Sequence, residues 1–201
     1  MLRIHGSSRS RAIRTLWMAT ELNLPYEPID LAPRSPGTRT AEFLAMNPNG
    51  AVPVIEDDGF VLSESMAINL YLAKKHGGGL YPATAHGEAL AWQWSFWTVD
   101  RIDRQLVTYA SHAFVLPEAE RDPAAAAAAW AQIEPALGVL EANLAKRSWL
   151  AEDAFTVADL NVASAMYRAL FMDMGNWPRM RDWLARSWDR PAAKKARAMR
   201  E

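Results

Sequence analysis

The run Asn47-Pro48-Asn49-Gly50-Ala51-Val52-Pro53-Val54-Ile55 leaves few options for the chain around it. Asn-Pro-Asn-Gly is dense turn chemistry, because proline fixes φ and glycine tolerates positive φ. A short apolar segment then opens on Pro53, an unusual residue at a strand start. Asp57-Asp58-Gly59 reads as a hairpin turn into a second short apolar segment at residues 60–62. Ser63-Glu64-Ser65 stands where an apolar-periodic helix begins with Met66, Ile68, Leu70, Tyr71 and Leu72, a position suited to an N-cap. The order is turn, strand, hairpin, strand, helix.

The residues before this run extend the pattern. Leu2 to His5 alternate apolar and polar, as a first strand does, and Gly6-Ser7-Ser8-Arg9-Ser10 makes the turn into a helix. That helix carries Ile13, Leu16 and Trp17 on one stripe and Arg11, Arg14, Met18 and Glu21 on the other. Leu24-Pro25 ends it, since the residue before proline avoids the helical region. Residues 26–31 read as a second strand, 32–38 as a loop, and Thr38 or Thr40 as the cap of a short helix reaching Ala45. The sum is β-α-β-α-β-β-α over residues 1–76, a small mixed sheet flanked by helices.

His76-Gly77-Gly78-Gly79-Leu80-Tyr81-Pro82 breaks the third helix, and residues 77–86 read as a linker. Residues 87–201 read as a separate all-helical domain. A long amphipathic helix is expected over residues 86–116, with Trp92, Trp94, Trp97 and Tyr109, and Pro117 stops it. A second runs from the alanines of 124–129 to about Ala145, with Pro135 as an expected kink. Phe155-Thr156-Val157-Ala158-Asp159-Leu160 is a capping-box variant with Asp in the place of Glu or Gln. The helix it opens is apolar almost all round and should form the centre of this domain.

Composition narrows the function. Half of the 201 residues are hydrophobic, enough for one large core or two small ones. A net charge of −1 gives no footprint for nucleic acid or an anionic membrane. There is no cysteine, which excludes disulfide staples, a protein thiol nucleophile and a Cys-based metal site. His5, His76, His86 and His112 show no ligand spacing, so no metal is expected. The first residues are too short for a signal peptide and no apolar run reaches spanning length, so a cytoplasmic location is the expectation.

Two motifs at a fixed separation, Asn47 to Val54 and Glu64-Ser65-Met66-Ala67-Ile68, resemble the glutathione S-transferase pattern NPxGxVPxL followed by (E/Q)-S-x-A-I. The Thr156 box resembles the one that opens a buried helix in that family's second domain, so the resemblance spans nearly the whole chain. It implies a thioredoxin-like domain followed by an all-helical one, glutathione as co-substrate, a homodimer and a role in detoxification. A small hydrophobic electrophile would be the second substrate.

The resemblance also assigns roles. A cis Val52-Pro53 bond would turn the Val52 N–H and C=O outward to pair with the cysteinyl segment of glutathione as an added strand edge. Ser65, at a helix N-terminus, would hold the γ-glutamyl carboxylate, and Glu64 the ammonium. A serine hydroxyl at the first helix would donate to the sulfur and favour thiolate. Lowering a thiol pKa by about two units needs roughly 2.7 kcal/mol, within reach of one hydrogen bond and the helix dipole. Two registers stay open. Serine-type members put the role on Ser7, and the register of cysteine-type members puts it on Ser8.

Departures are equally specific. Ala51 stands where family members often carry Lys or Gln for the glycyl carboxylate, and Thr38 stands at another glycine-end position. Arg39 or Arg9 could compensate. The electrophile would lie against the long helix, where Trp94, Trp97, Arg101, Arg104 and Tyr109 are candidates. Two rival readings remain. One is a glutathione-dependent isomerase, echoed weakly by Ser7-Ser8-Arg9-Ser10; the other is a transferase-like fold kept for binding or assembly.

Overall fold

The computed structural model describes residues 1–200, which divide into two units: Met1–Tyr81 with residues 189–200, and Pro82–Trp188. In the first unit β1 (Leu2–His5) lies between β2 (Tyr26–Ile29), parallel to it, and β3 (Val54–Asp57), antiparallel; β4 (Phe60–Ser63) pairs antiparallel with β3. Asp58 and Gly59 make the two-residue hairpin, both at positive φ (51° and 89°), which matches the twist of the flanking strands. Pro28 is tolerated because β2 is an edge strand.

Strand alternation sorts the two faces. Leu2 and Ile4 share one face with Ile55 and Asp57, by the register Ile4↔Ile55 and Leu2↔Asp57. Helix α3 (Ser65–His76) covers that face: Tyr71 and Lys75 donate to the Asp57 carboxylate at 2.8 and 2.6 Å. Burial raises the Asp57 carboxyl, but these two hydrogen bonds outweigh it and the net direction is down. The other face carries Arg3, His5 and Glu56. Arg3 donates to Glu27 on β2 and Glu56 on β3, and His5 Nε2 lies 2.7 Å from Glu56. The His5 hydrogen bond, with the charge of Arg3, holds the Glu56 carboxyl below its usual range. Helix α2 (Ala41–Met46), capped by Thr40 accepting from the Phe43 N–H, lays Phe43 edge-on to His5.

Helix α1 (Ala12–Glu21) is buried from Ala12 to Ala19, Arg14 and Met18 included. Of the stripe opposite Ile13, Leu16 and Trp17, Arg14 and Met18 are therefore buried, while Arg11 is exposed. Helix α1 packs against both α3 and α9 (Pro191–Arg200). Residues 189–200, which follow the helical unit in sequence, thus pack with the first unit.

In the second unit, the single long helix expected over 86–116 is a rod of α4 (Ala85–Thr98) and α5 (Arg104–Ala110), joined by a π-helical turn at Val99–Asp103 and followed by another at Ser111–Val115. Each wide turn shifts the buried stripe, which a strict 3.6 period cannot show. Thr84 caps α4 by accepting from the Gly87 N–H at 2.9 Å. Helix α6 (Pro123–Leu144) has Asp122 as its N-cap and Pro123 in its first turn, and it continues through Pro135.

The capping box forms as the sequence indicates and opens α7 (Val157–Ala165), all nine residues of which are buried. Asp159 serves as more than a cap, however. Its Oδ2 accepts from the Thr156 N–H and hydroxyl, and its Oδ1 accepts from the Leu150 N–H and from the Trp183 indole of α8 (Pro178–Asp189). Asn161 of α7 donates to Ser95 of α4 at 2.8 Å. Helix α7 is the polar-buttoned centre of its unit.

Candidate active site

Asn47 builds the turn that carries the central motif. Buried, it donates from Nδ2 to the Ala51 carbonyl at 2.8 Å and accepts the Asn49 N–H at Oδ1, while its own carbonyl takes the Gly50 N–H. The chain leaves this turn through Val52-Pro53, whose peptide bond is cis. No hydrogen bond within the described residues uses the Val52 N–H or C=O. They are an unused donor and acceptor in the segment just before β3.

Gly6 brings the first helix to that segment. A β-carbon there would lie 2.6 Å from Ala12 Cβ and 3.2 Å from Val52 Cβ, so only glycine allows the approach. The Gly6 and Ser7 N–H groups donate to Ile29 and Leu31, which fixes the loop at the end of the parallel pair. Ser10 is the local cap: its hydroxyl accepts from the Ala12 N–H and donates to the Ser7 carbonyl. Ser7 and Ser8 are both half-buried, but their hydroxyls differ. The Ser8 hydroxyl donates to the Met199 carbonyl at 2.6 Å. The Ser7 oxygen accepts a long bond from the Arg9 N–H at 3.3 Å and keeps its proton free to donate.

The start of α3 is open. Neither Ser63 nor Ser65 caps it; the residue at the cap position is Glu64, which makes no side-chain capping bond. Glu64 holds φ +71° and ψ 107°, a region non-glycine residues seldom enter and one that tends to mark functional sites. Its carboxylate is exposed, and Ser65 is buried beneath it. The Arg14 guanidinium, itself buried, reaches Ser65 Oγ at 3.4 Å, and the Arg14 carbonyl accepts from Asn69. A buried cation thus adds to the positive end of the α3 dipole. Periodicity places Arg14 on the stripe opposite Ile13, Leu16 and Trp17, and nothing local in the sequence separates a buried arginine from an exposed one.

At the glycine end, Thr38 is fully buried and its hydroxyl donates to the Ser35 carbonyl, so its side chain is not offered to a ligand. Arg39 is exposed, and its guanidinium lies against Gly50: a β-carbon there would sit 2.5 Å from Nη1. Arg9 is exposed on the Ser7 loop. In the second unit, Trp94 is core, set edge-on to Trp97 at 5.0 Å, and Tyr109 stacks against Trp130. Arg101 pairs with Asp100, and Arg104 is exposed. No group of residues suited to a metal ion occurs among the described residues, and no described helix is long and apolar enough to cross a membrane.

The fold and this site together define a class. Residues 9–75 match the family model of the glutathione S-transferase N-terminal domain, and residues 123–186 that of the C-terminal domain. Glutathione S-transferase GstB of Escherichia coli (strain K12) is 33% identical over 208 residues, covering 97% of each chain. Glutathione S-transferase 3 of Zea mays is 34% identical over 170 residues, covering 81% of this chain and 75% of that one. The crystal structure of the theta class glutathione S-transferase from Xanthomonas axonopodis pv. citri, with glutathione bound, superposes with a TM-score of 0.89 at 33% identity, covering 97% of this chain and 96% of that one. The chain belongs to the glutathione S-transferase family, a family of transferase enzymes.

Proposed function

We propose that the protein joins the glutathione thiolate to small hydrophobic electrophiles, with Ser7 as the thiolate-stabilising residue. The observation that carries the reading is the difference between two neighbouring hydroxyls: Ser8 spends its proton on Met199 at 2.6 Å, and Ser7 does not spend its own. The Val52 N–H and C=O pair with the cysteinyl residue of glutathione. The γ-glutamyl carboxylate sits on Ser65 and the open α3 N-terminus, with Arg14 behind it, and its ammonium meets Glu64. Arg39 takes the glycyl carboxylate, the task that Ala51 and the buried Thr38 leave open.

Chemically, the bound thiol gives its proton to solvent. The thiolate then forms the S–C bond as the leaving group departs with its electron pair, or adds to an activated double bond whose π electrons become a carbanion that takes a proton from solvent. Positioning the tripeptide and stabilising its sulfur anion supply the acceleration. The protein works as a homodimer in the cytoplasm, in detoxification. Support for the dimer is the exposed apolar face of α4 and the π-helical turn after it, where Trp92, Phe96 and Val99 recur at helical spacing and are 45%, 70% and 52% exposed.

The test is conjugation of glutathione to an activated aryl chloride by wild type and Glu64→Ala. Wild type is expected to turn over, and the variant to raise KM for glutathione about tenfold with a smaller change in kcat, as for loss of one charge-assisted contact. Wild type without turnover and without glutathione binding would reject the reading.

A further inference from the structure

The loop that carries Ser7 is held from the far end of the sequence. Beyond the Ser8–Met199 bond at 2.6 Å, Arg200 Nη1 donates to the Ser8 carbonyl at 3.2 Å, and the Tyr26 hydroxyl touches Met199 Sδ at 3.9 Å. Further back, Arg190 grips Glu21 of α1 with two bonds of 2.7 and 2.9 Å. Ala192, Ala193 and Ala196 are buried, and their small side chains let α9 lie close along α1.

These contacts are reciprocal. The last carbonyls of a helix have no partner within it, and Ser8 satisfies that of Met199. The loop therefore caps α9, and α9 fixes the loop. The electrostatics matter as well. A helix C-terminus carries a partial negative charge, which near a thiolate works against ionisation. Arg200 places a guanidinium at that end and on the loop itself, offsetting it.

We propose that the last turn of α9 is a positioning element of the thiolate site: the Met199 carbonyl and the Arg200 guanidinium hold Ser8 so that Ser7 alone faces the sulfur. The inference rests on the transferase reading above. Arg200 acts through the loop and is a positioning residue, not a catalytic one.

The experiment compares wild type, Arg200→Ala, Arg200→Lys and a chain ending at Ala198, all retaining the Arg190–Glu21 anchor. Two quantities are read: the pH profile of kcat/KM with glutathione and an activated aryl chloride, and amide hydrogen exchange over residues 7–11. The shortened chain is expected to lose about tenfold in kcat/KM at neutral pH. Its profile should move toward alkaline pH, its loop exchange should rise about tenfold, and its glutathione affinity should stay within about threefold. Arg200→Ala should follow in the same direction, with partial recovery in Arg200→Lys. Unchanged loop exchange, or faster exchange with an unmoved pH profile, overturns the proposal. Wild type that does not turn over would instead sink the transferase reading, and the exchange result would then decide alone whether α9 holds the loop.

Discussion

Ser7→Ala is expected to lower kcat/KM about 10- to 100-fold at neutral pH and to move the pH profile about one to two pH units toward alkaline. The expectation follows from the bond that Ser7 alone is free to make. A hydrogen bond to a charged acceptor contributes about 1.5–3 kcal/mol, and each 1.4 kcal/mol or so is a factor of ten in rate. The helix dipole, Arg14 and the rest of the proposed glutathione cradle are untouched, so affinity for glutathione should change far less than turnover. Ser8→Ala removes a bond to Met199 rather than one to the sulfur, and a loss of only a few-fold is expected. Steady-state kinetics across pH on both variants checks this. Equal losses in the two would show that the division of labour between the hydroxyls is wrong.

Asp159→Ala carries the largest expected effect on stability, about 3–5 kcal/mol, because it strands donors from Thr156, Leu150 and Trp183 in the interior of the second unit. Denaturant unfolding measures it. The pH dependence has a definite sign. Burial pushes the Asp159 carboxyl up to about 6 from an ordinary 3.8, although the four donors pull it down. A raised carboxyl binds its proton more tightly in the folded state. Stability from this group is therefore greatest below about pH 4 and is lost as pH rises to about 6, with a span of about 3 kcal/mol. Asp159→Asn does not titrate. On acidification from pH 6 to 4, wild type should gain stability relative to it; a relative loss would mean that the donors outweigh burial.

Much of this molecule was legible because its strongest signals are local. The Asn47 turn, the Asp58-Gly59 hairpin and the Thr156 box each depend on residues within a few positions of one another, and each forms as its residue types dictate. What stayed hidden depends on partners far away in sequence. Choosing between Ser7 and Ser8 required Met199, 191 residues beyond Ser8. The burial of Arg14 and Met18 on the second stripe of α1 could not be read, because nothing in α1 announces that α9 will pack on it, and the alanines of α9 are as compatible with a free helix as with a packed one. The π-helical turns before and after α5 escape a reading built on a constant period. The burial of Thr38 was hidden for a simpler reason: a hydroxyl that suits a ligand suits a backbone carbonyl three residues away equally well.

The central claim is that this chain binds glutathione and that Ser7 holds its sulfur as the anion. The most direct measurement is titration of glutathione into wild type, Ser7→Ala and Ser8→Ala, with binding heat and thiolate absorbance followed together at neutral pH. The account predicts binding to all three proteins, with a thiolate signal in wild type and Ser8→Ala that is lost in Ser7→Ala. A thiolate signal that survives in Ser7→Ala and disappears in Ser8→Ala would contradict it, as would a wild type that binds no glutathione.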